Sequence, residues 1–230
     1  NGFLNVAETA GINSPYISED GVMGCQVGDL DFDGIADIYI GNGGPRSGQY
    51  DQLYLSRAVE NGTPDYVNRS DLIDIEAPQE DGLEYPEYPY RTHGTVFVDA
   101  DGDGTPEIAV VNGGMAGGTT DSREPNRLFK LRLSSGSHYL WVRPLGDGAT
   151  VSRDAIGTRV EVRASNALGN SWSIFRTLLG GNCFSAQGGF DLFFGLNDAT
   201  SIDRVIVTWP DGTSESIDGA SLDSKVIVTY

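Results

Sequence analysis

The pattern D-x-D-x-D-G-x-x-(D/E) occurs twice in this chain, at 29–37 and at 99–107, inside longer segments that align with each other. "QVGDLDFDGIADIYIGNG" (26–43) and "VFVDADGDGTPEIAVVNG" (96–113) both run as strand, acidic loop, then an apolar strand ending in Asn-Gly. The match extends outward. "GFLNVAETAGI" (2–12) parallels "DYVNRSDLIDI" (65–75), and "DQLYLS" (51–56) parallels "NRLFKL" (126–131). Self-similarity on this scale means two supersecondary units, of about 60–70 residues each, that bury their apolar faces against neighbours. The strands after each loop alternate with period two: Ile38 and Ile40 against Asp37 and Tyr39, then Ile108 and Val110 against Ala109 and Val111. No window carries helical periodicity long enough for a substantial helix. The expected fold is therefore all-β, two propeller-blade-like antiparallel repeats followed by a small antiparallel sandwich.

Carboxylates at positions 1, 3 and 5 of a loop, glycine at 6 and a further carboxylate at 9 describe a cage for a hard cation. Calcium takes about six to eight oxygens at about 2.3–2.6 Å, and a tight loop lets several side chains converge on one point. Without an ion, these like charges would repel at short range. The side-chain ligands predicted are Asp29, Asp31, Asp33 and Asp37 in the first loop and Asp99, Asp101, Asp103 and Glu107 in the second. The carbonyls of Ile35 and Thr105, at position 7, would add one ligand each, giving two Ca2+ sites. Gly34 and Gly104 supply the sharp turn. An EF-hand is excluded, because position 12 is Ile40 or Val110 rather than a bidentate Glu, and both fall inside strands.

From about residue 137 the acidic loops stop and short strands crowd together: "HYLWVRPL", "TRVEVRA", "SWSIFRTL", "DLFFGL", "DRVIVTW" and "KVIVTY". Gly, Asn, Asp and Pro clusters separate them, and "WPDGTSESI" reads as a tight hairpin with Gly212 free to take a positive φ. This spacing predicts a small sandwich. The domain boundaries implied are 1–62 for the first repeat, 63–135 for the second and 136–230 for the sandwich.

Two resemblances join these observations. The acidic-loop units resemble FG-GAP/VCBS repeats, the calcium-loop blades of propellers, and on that resemblance the ligands fall at the ten positions named above. "RDAIGTRVEV" (153–162), "FGL" (194–196) and "IDRVIVTWPDG" (202–212) resemble the ASPIC/UnbV domain, which follows such repeats in cartilage-acidic-protein-like proteins. The family is known by architecture more than by a shared activity. A propeller closes with about four to eight blades, and two repeats are visible here, so the resemblance also implies open sheet edges. Edges of that kind invite strand addition from another chain, as in a homo-oligomer or filament.

Charge narrows the partners. A net charge of −18 leaves no basic stripe for nucleic acid and disfavours anionic membranes. No apolar run approaches the ~20 residues that span a bilayer, so membrane insertion is not expected. The sequence starts at an asparagine, which is expected of a processed or truncated chain or of one whose start has been removed. Cys25 and Cys183 match no metal spacing and read either as one long-range disulfide or as two buried thiols. Asn61 and Asn68 lie in N-glycosylation sequons between the repeats. "EYPEYPYR" holds Tyr85, Tyr88 and Tyr90 in a proline-stiffened loop, a candidate ligand or interface surface, although filling a sheet edge explains it as well. His93 and His138 are the only histidines, and neither a nucleophile elbow nor a phosphate loop is present, so no catalytic residue is assigned and an enzyme is not expected.

Together these features predict a secreted or cell-surface calcium-binding structural or adhesion protein. Self-assembly through sheet edges and an extracellular protein or glycan ligand belong to that expectation. The alternative is a carbohydrate-binding accessory module or a secreted polysaccharide-acting enzyme.

Overall fold

A computed structural model describes residues 2–12, 21–43, 51–60, 62–73, 91–113, 124–130, 136–181, 183–184 and 186–230. Tyr85, Tyr88, Tyr90 and Asn61 lie outside the described residues. Within them the chain forms fourteen strands, with a single 3-10 turn at Ser70–Ile73 as the helical element. The strands are β1 (Val22–Gly28), β2 (Asp37–Asn42), β3 (Gln52–Glu60), β4 (Thr63–Asn68), β5 (Thr92–Val98), β6 (Glu107–Asn112) and β7 (Arg127–Phe129). They continue as β8 (His138–Leu145), β9 (Arg159–Asn166), β10 (Ser171–Thr177), β11 (Leu192–Asn197), β12 (Ala199–Thr208), β13 (Ser214–Ile217) and β14 (Ser224–Thr229).

Each repeat folds as an antiparallel meander with the acidic loop joining its first two strands. The first sheet runs β1-β2-β3-β4 and the second β5-β6-β7; Thr63–Asn68 therefore pairs with β3 in the first sheet, although the expected boundary at 62 placed it in the second repeat. The registers correspond: Gly28 pairs with Asp37 across the first loop and Val98 with Glu107 across the second. The two sheets lie face to face rather than edge to edge, and small residues on β1 and β2 permit the approach. A Cβ on Gly24 would sit 2.7 Å from the His93 carbonyl oxygen, and one on Gly41 only 2.5 Å from Thr92 Cγ2. Leu30, Tyr39, Leu53, Ile73, Ile108 and Val110 fill the space between, all buried.

That core alters one detail of the sequence pattern. Ile108 and Val110 are buried as their alternation implies, but in β2 the buried residue is Tyr39, while Ile38 and Ile40 are only half-buried. Successive sheets present opposite faces to a shared core, so Tyr39 meets the Ile108 face. Its hydroxyl donates to Asp51 Oδ2 at 2.6 Å. Asp51 also accepts from the Asn42 amide (2.8 Å) and from Thr92 Oγ1 (2.8 Å), which ties the first sheet to β5.

The C-terminal part is a sandwich of two sheets, β10-β9-β12-β13 and β11-β8-β14, around a core that includes Leu140, Val160, Val162, Phe194, Leu196, Val205, Val207 and Trp209. All pairings are antiparallel except one: β14 runs parallel to β8, from Ser224↔Leu140 to Thr229↔Leu145. The Pro-Asp-Gly hairpin forms as expected, with Gly212 at φ +90° and its amide bonded to the Trp209 carbonyl at 2.9 Å. The sheets do not close into a barrel. Among the described residues no helix is long and apolar enough to cross a membrane.

Candidate metal centres

The two acidic loops share a backbone path and four internal hydrogen bonds; the second adds one, from the Gly102 amide to Asp99 Oδ1 at 2.8 Å. Position 1 accepts from the amide of position 6: Gly34 N to Asp29 Oδ2 at 3.0 Å, Gly104 N to Asp99 Oδ2 at 3.1 Å. Position 3 accepts from position 5, with Asp33 N to Asp31 Oδ1 at 3.3 Å and Asp103 N to Asp101 Oδ1 at 3.2 Å. Position 5 accepts from position 7, with Ile35 N at 2.7 Å from Asp33 Oδ1 and Thr105 N at 2.8 Å from Asp103 Oδ1. Position 9 closes the loop, Asp37 on the Leu30 amide (2.6 Å) and Glu107 on the Ala100 amide (2.8 Å). Backbone conformation agrees as well: position 6 is left-handed in both loops (Gly34 +89°, Gly104 +91°), and so is position 4 (Phe32 +69°, Gly102 +77°).

These bonds leave oxygens free to converge. Asp29, Asp31 and Asp33 each place a carboxylate oxygen within 4.8 Å of the others, and Asp99, Asp101 and Glu107 do the same. Asp37 stands outside the first group, and both its oxygens are hydrogen-bonded, the second by the Ser56 amide at 2.8 Å. Asp103 stands outside the second group; Lys130 bridges its carboxylate to that of Asp101, which stands inside. Two fully buried carboxylates keep an oxygen with no hydrogen bond: Asp29 Oδ1 and Glu107 Oε1. A buried acidic oxygen left bare costs free energy unless a cation or proton meets it. The donor set, all hard oxygen, fits calcium rather than a thiol- or imidazole-seeking metal.

The acidity of the first loop follows from this crowding. Burial pushes Asp29 up to about 8, its Asp37, Asp33 and Asp31 neighbours adding to the rise and Arg176 opposing it. Burial likewise pushes Asp37 up to about 7 against the hydrogen bonds from Ser56 and Leu30. Asp31, Asp33 and Glu107 are also raised, each chiefly by burial. With no metal, a proton on Asp29 or Asp37 near neutrality offsets part of this crowding, and a divalent ion would displace it.

Both loops press against the C-terminal sandwich. Asp29 Oδ2 accepts the amide of Gly195 in β11 at 3.1 Å, and the Phe32 carbonyl accepts the Asn197 amide at 2.8 Å. The Phe32 ring packs 5.0 Å from Phe193 and 5.9 Å from Tyr139, ring centre to ring centre. Arg176 of β10 brings Nη2 to 3.8 Å from Asp29 Oδ2. In the second loop, the Gly104 carbonyl accepts Trp141 Nε1 of β8 at 3.0 Å. Beside it lies a cleft of about 420 Å³ whose walls include Asp99, Tyr139, Trp141, Asp191, Asp223 and Lys225.

Sequence reasoning missed the residues that make this junction. Phe32 had a signal, since an aromatic side chain occupies a loop position where the second repeat has Gly102. Arg176 and Gly195 had none, because nothing in their local pattern refers to a loop more than 140 positions away. Cys25 and Cys183 are free thiols in this structure, Cys25 exposed and Cys183 half-buried, so neither the candidate disulfide nor a pair of buried thiols is formed. They share a corner, however: a Cβ on Gly24 would lie 2.6 Å from Cys183 Sγ. Partial desolvation, and then the nearby Cys183, raise the Cys25 thiol. Asn68 is exposed at the end of β4, with Oδ1 accepting from Ser70 Oγ (2.7 Å) and the Ser70 amide (3.0 Å).

Residues 148–230 match the ASPIC and UnbV family. The match covers β9 to β14 and begins after β8, although β8 is the central strand of one of the sandwich sheets. No curated protein matches the chain. Among solved structures, a "putative cell adhesion protein" from Bacteroides uniformis ATCC 8492 aligns over 92% of this chain and 87% of its own, at 15% identity and a TM-score of 0.21. That likeness is too remote to carry fold or role across.

Proposed function

We propose that the chain is a calcium-stabilised structural module of an extracellular, adhesion-type protein, with FG-GAP/VCBS-like repeats whose ions lock them onto the ASPIC/UnbV sandwich. The observation that carries this reading is the pair of matching loops, each with a buried carboxylate oxygen lacking a hydrogen bond, Asp29 Oδ1 and Glu107 Oε1. Because both loops abut the sandwich, an ion in either would stiffen the junction as well as its own repeat. Sites of about 10⁻⁴–10⁻³ M would be filled outside cells, where calcium is millimolar. The high negative charge suits such surroundings. Contact between copies belongs to the same reading: Val111 (56%) and Leu128 (58%) are exposed on one face of the second sheet.

The test is thermal unfolding in calcium and in EDTA. Calcium at about 100 times its Kd adds about 2.7 kcal/mol per site. For a chain of this size that raises Tm by about 5–11 °C. The double substitution Asp31→Ala and Asp101→Ala should abolish the rise. Superimposed wild-type curves in calcium and EDTA would refute the metal role. A second reading, glycan binding, draws on the cleft beside the second loop, where the Tyr139 and Trp141 rings stand among carboxylates. Binding on a glycan array that Tyr139→Ala abolishes would support it, and a blank array would remove it.

A further inference from the structure

The two loops share a backbone but not a cation. Lys130, which follows β7, places Nζ 2.5 Å from Asp101 Oδ2, 2.5 Å from Asp103 Oδ2 and 3.8 Å from Glu107 Oε1. The ammonium therefore spans three of the four side chains that would face an ion in the second loop. Strand register shows why, among the described residues, the first loop has no lysine at the equivalent position. Tyr54 of β3 pairs with Ile38, and Phe129 of β7 pairs with Ile108, so the residue after each, Leu55 or Lys130, is equivalent. Leu55 instead packs on the apolar core between the sheets. Among the described residues the cation at the first loop is Arg176, a half-buried side chain whose charge also acts on Asp29, Asp37 and Asp33 and which stands differently. Its one close approach is 3.8 Å, to an Asp29 oxygen already held by two amides, and its Nη1 donates to the Phe175 carbonyl at 3.1 Å.

We infer that Lys130 is a tethered competitor for the second site: its ammonium occupies the carboxylates until a divalent ion displaces it, so the two loops bind calcium with unequal affinity, the first more tightly. This rests on the calcium reading. Two observations besides the acidic cluster support it: the hydrogen-bond-free Glu107 Oε1, and the half-exposed Lys130 side chain, which has solvent to swing into. A tethered ammonium supplies one positive charge and accepts no coordination, so it answers the repulsion without filling the cage. Calcium supplies two charges and accepts several oxygens, and it wins when its concentration suffices. Lys130 thereby sets the concentration at which the second site fills, independently of the ligand set.

The experiment is calorimetric titration of calcium chloride into the whole chain as wild type, Lys130→Met and Asp101→Asn. Asp101 and Lys130 are both substantially exposed, and circular dichroism run beforehand checks that the variants fold. The expected result is two sites of different affinity. Asp101→Asn removes the weaker one, and Lys130→Met tightens that one by about three- to tenfold while leaving the tighter one unchanged. Terbium luminescence excited through Trp141, which bonds the Gly104 carbonyl, reports the second site separately and should show the same shift. Two sites with the weaker one unmoved by Lys130→Met, or loss of the tighter site in Asp101→Asn, would overturn the assignment of Lys130. Absence of calcium uptake by the wild type would overturn the calcium reading itself and the inference with it.

Discussion

Replacing Gly195 with alanine tests whether the first loop and the sandwich form one mechanical unit. A Cβ there would lie 2.2 Å from Asp29 Oδ2 and 2.5 Å from Phe32 Cα. The second contact is backbone, so no rotamer change relieves it, and β11 must move away from the loop. Overpacking of this kind costs about 1–3 kcal/mol. The movement also sacrifices the Gly195 amide bond to Asp29, a hydrogen bond worth about 1.5–3 kcal/mol when that carboxylate is ionised. Together these give about 2.5–6 kcal/mol, or a fall of about 5–24 °C in Tm for a chain of this size. Gly189→Ala is the control, since its Cβ would meet nothing nearer than 3.9 Å, and it should fall within about 0.5 kcal/mol of wild type. The assay is calorimetric unfolding of both variants with and without calcium, and the calcium-induced rise should shrink in Gly195→Ala alone. A Gly195→Ala protein that melts with its Gly189→Ala control would refute the junction.

Phe32→Ala should cost about 3–5 kcal/mol for the lost ring, whereas Phe32→Gly should cost about 1 kcal/mol less than Phe32→Ala, because the site is left-handed at φ +69°; chemical denaturation of both variants gives the order, and the reverse order would remove the strain argument. Asp51→Asn turns an amide donor toward a pocket of donors, Tyr39 Oη, Thr92 Oγ1 and the Asn42 amide, and should lose about 1–3 kcal/mol. Burial raises the Asp51 carboxyl against those hydrogen bonds and Arg127. Its contribution is therefore complete below the ordinary carboxylate pKa of about 4 and is lost as pH rises through the raised value. The stability gap between wild type and Asp51→Asn should accordingly narrow with increasing pH in a denaturation series.

The local structure was legible because it rests on short-range rules. Acidic spacing with Gly34 and Gly104 specifies the loops, and period-two alternation specifies the strands that flank them. The hairpin at Gly212 follows from Pro-Asp-Gly alone. What the sequence pattern does not encode is which surfaces meet. Alternation divides β2 into two faces, but whether Tyr39 or Ile38 is buried depends on the neighbouring sheet. Gly195 reads as an ordinary residue of a strand, yet its missing Cβ admits the carboxylate of Asp29. Lys130 was present in the repeat alignment, opposite Leu55, but a single substitution in a polar-tolerant position carries no meaning until strand register brings it to the carboxylates.

The parallel pairing of β8 with β14 has a consequence for a molecule under tension. When a pull draws the start of β8 and the end of β14 in opposite directions, the two strands slide along their common axis. The ladder from Ser224↔Leu140 to Thr229↔Leu145 is then loaded in shear, with all its hydrogen bonds resisting together. An antiparallel hairpin such as β12–β13, pulled from its open end, would peel one rung at a time. The sandwich thus places its one parallel pair where a load entering at residue 138 and leaving at residue 229 must cross it, which gives this part of the chain the geometry of a force-bearing clasp.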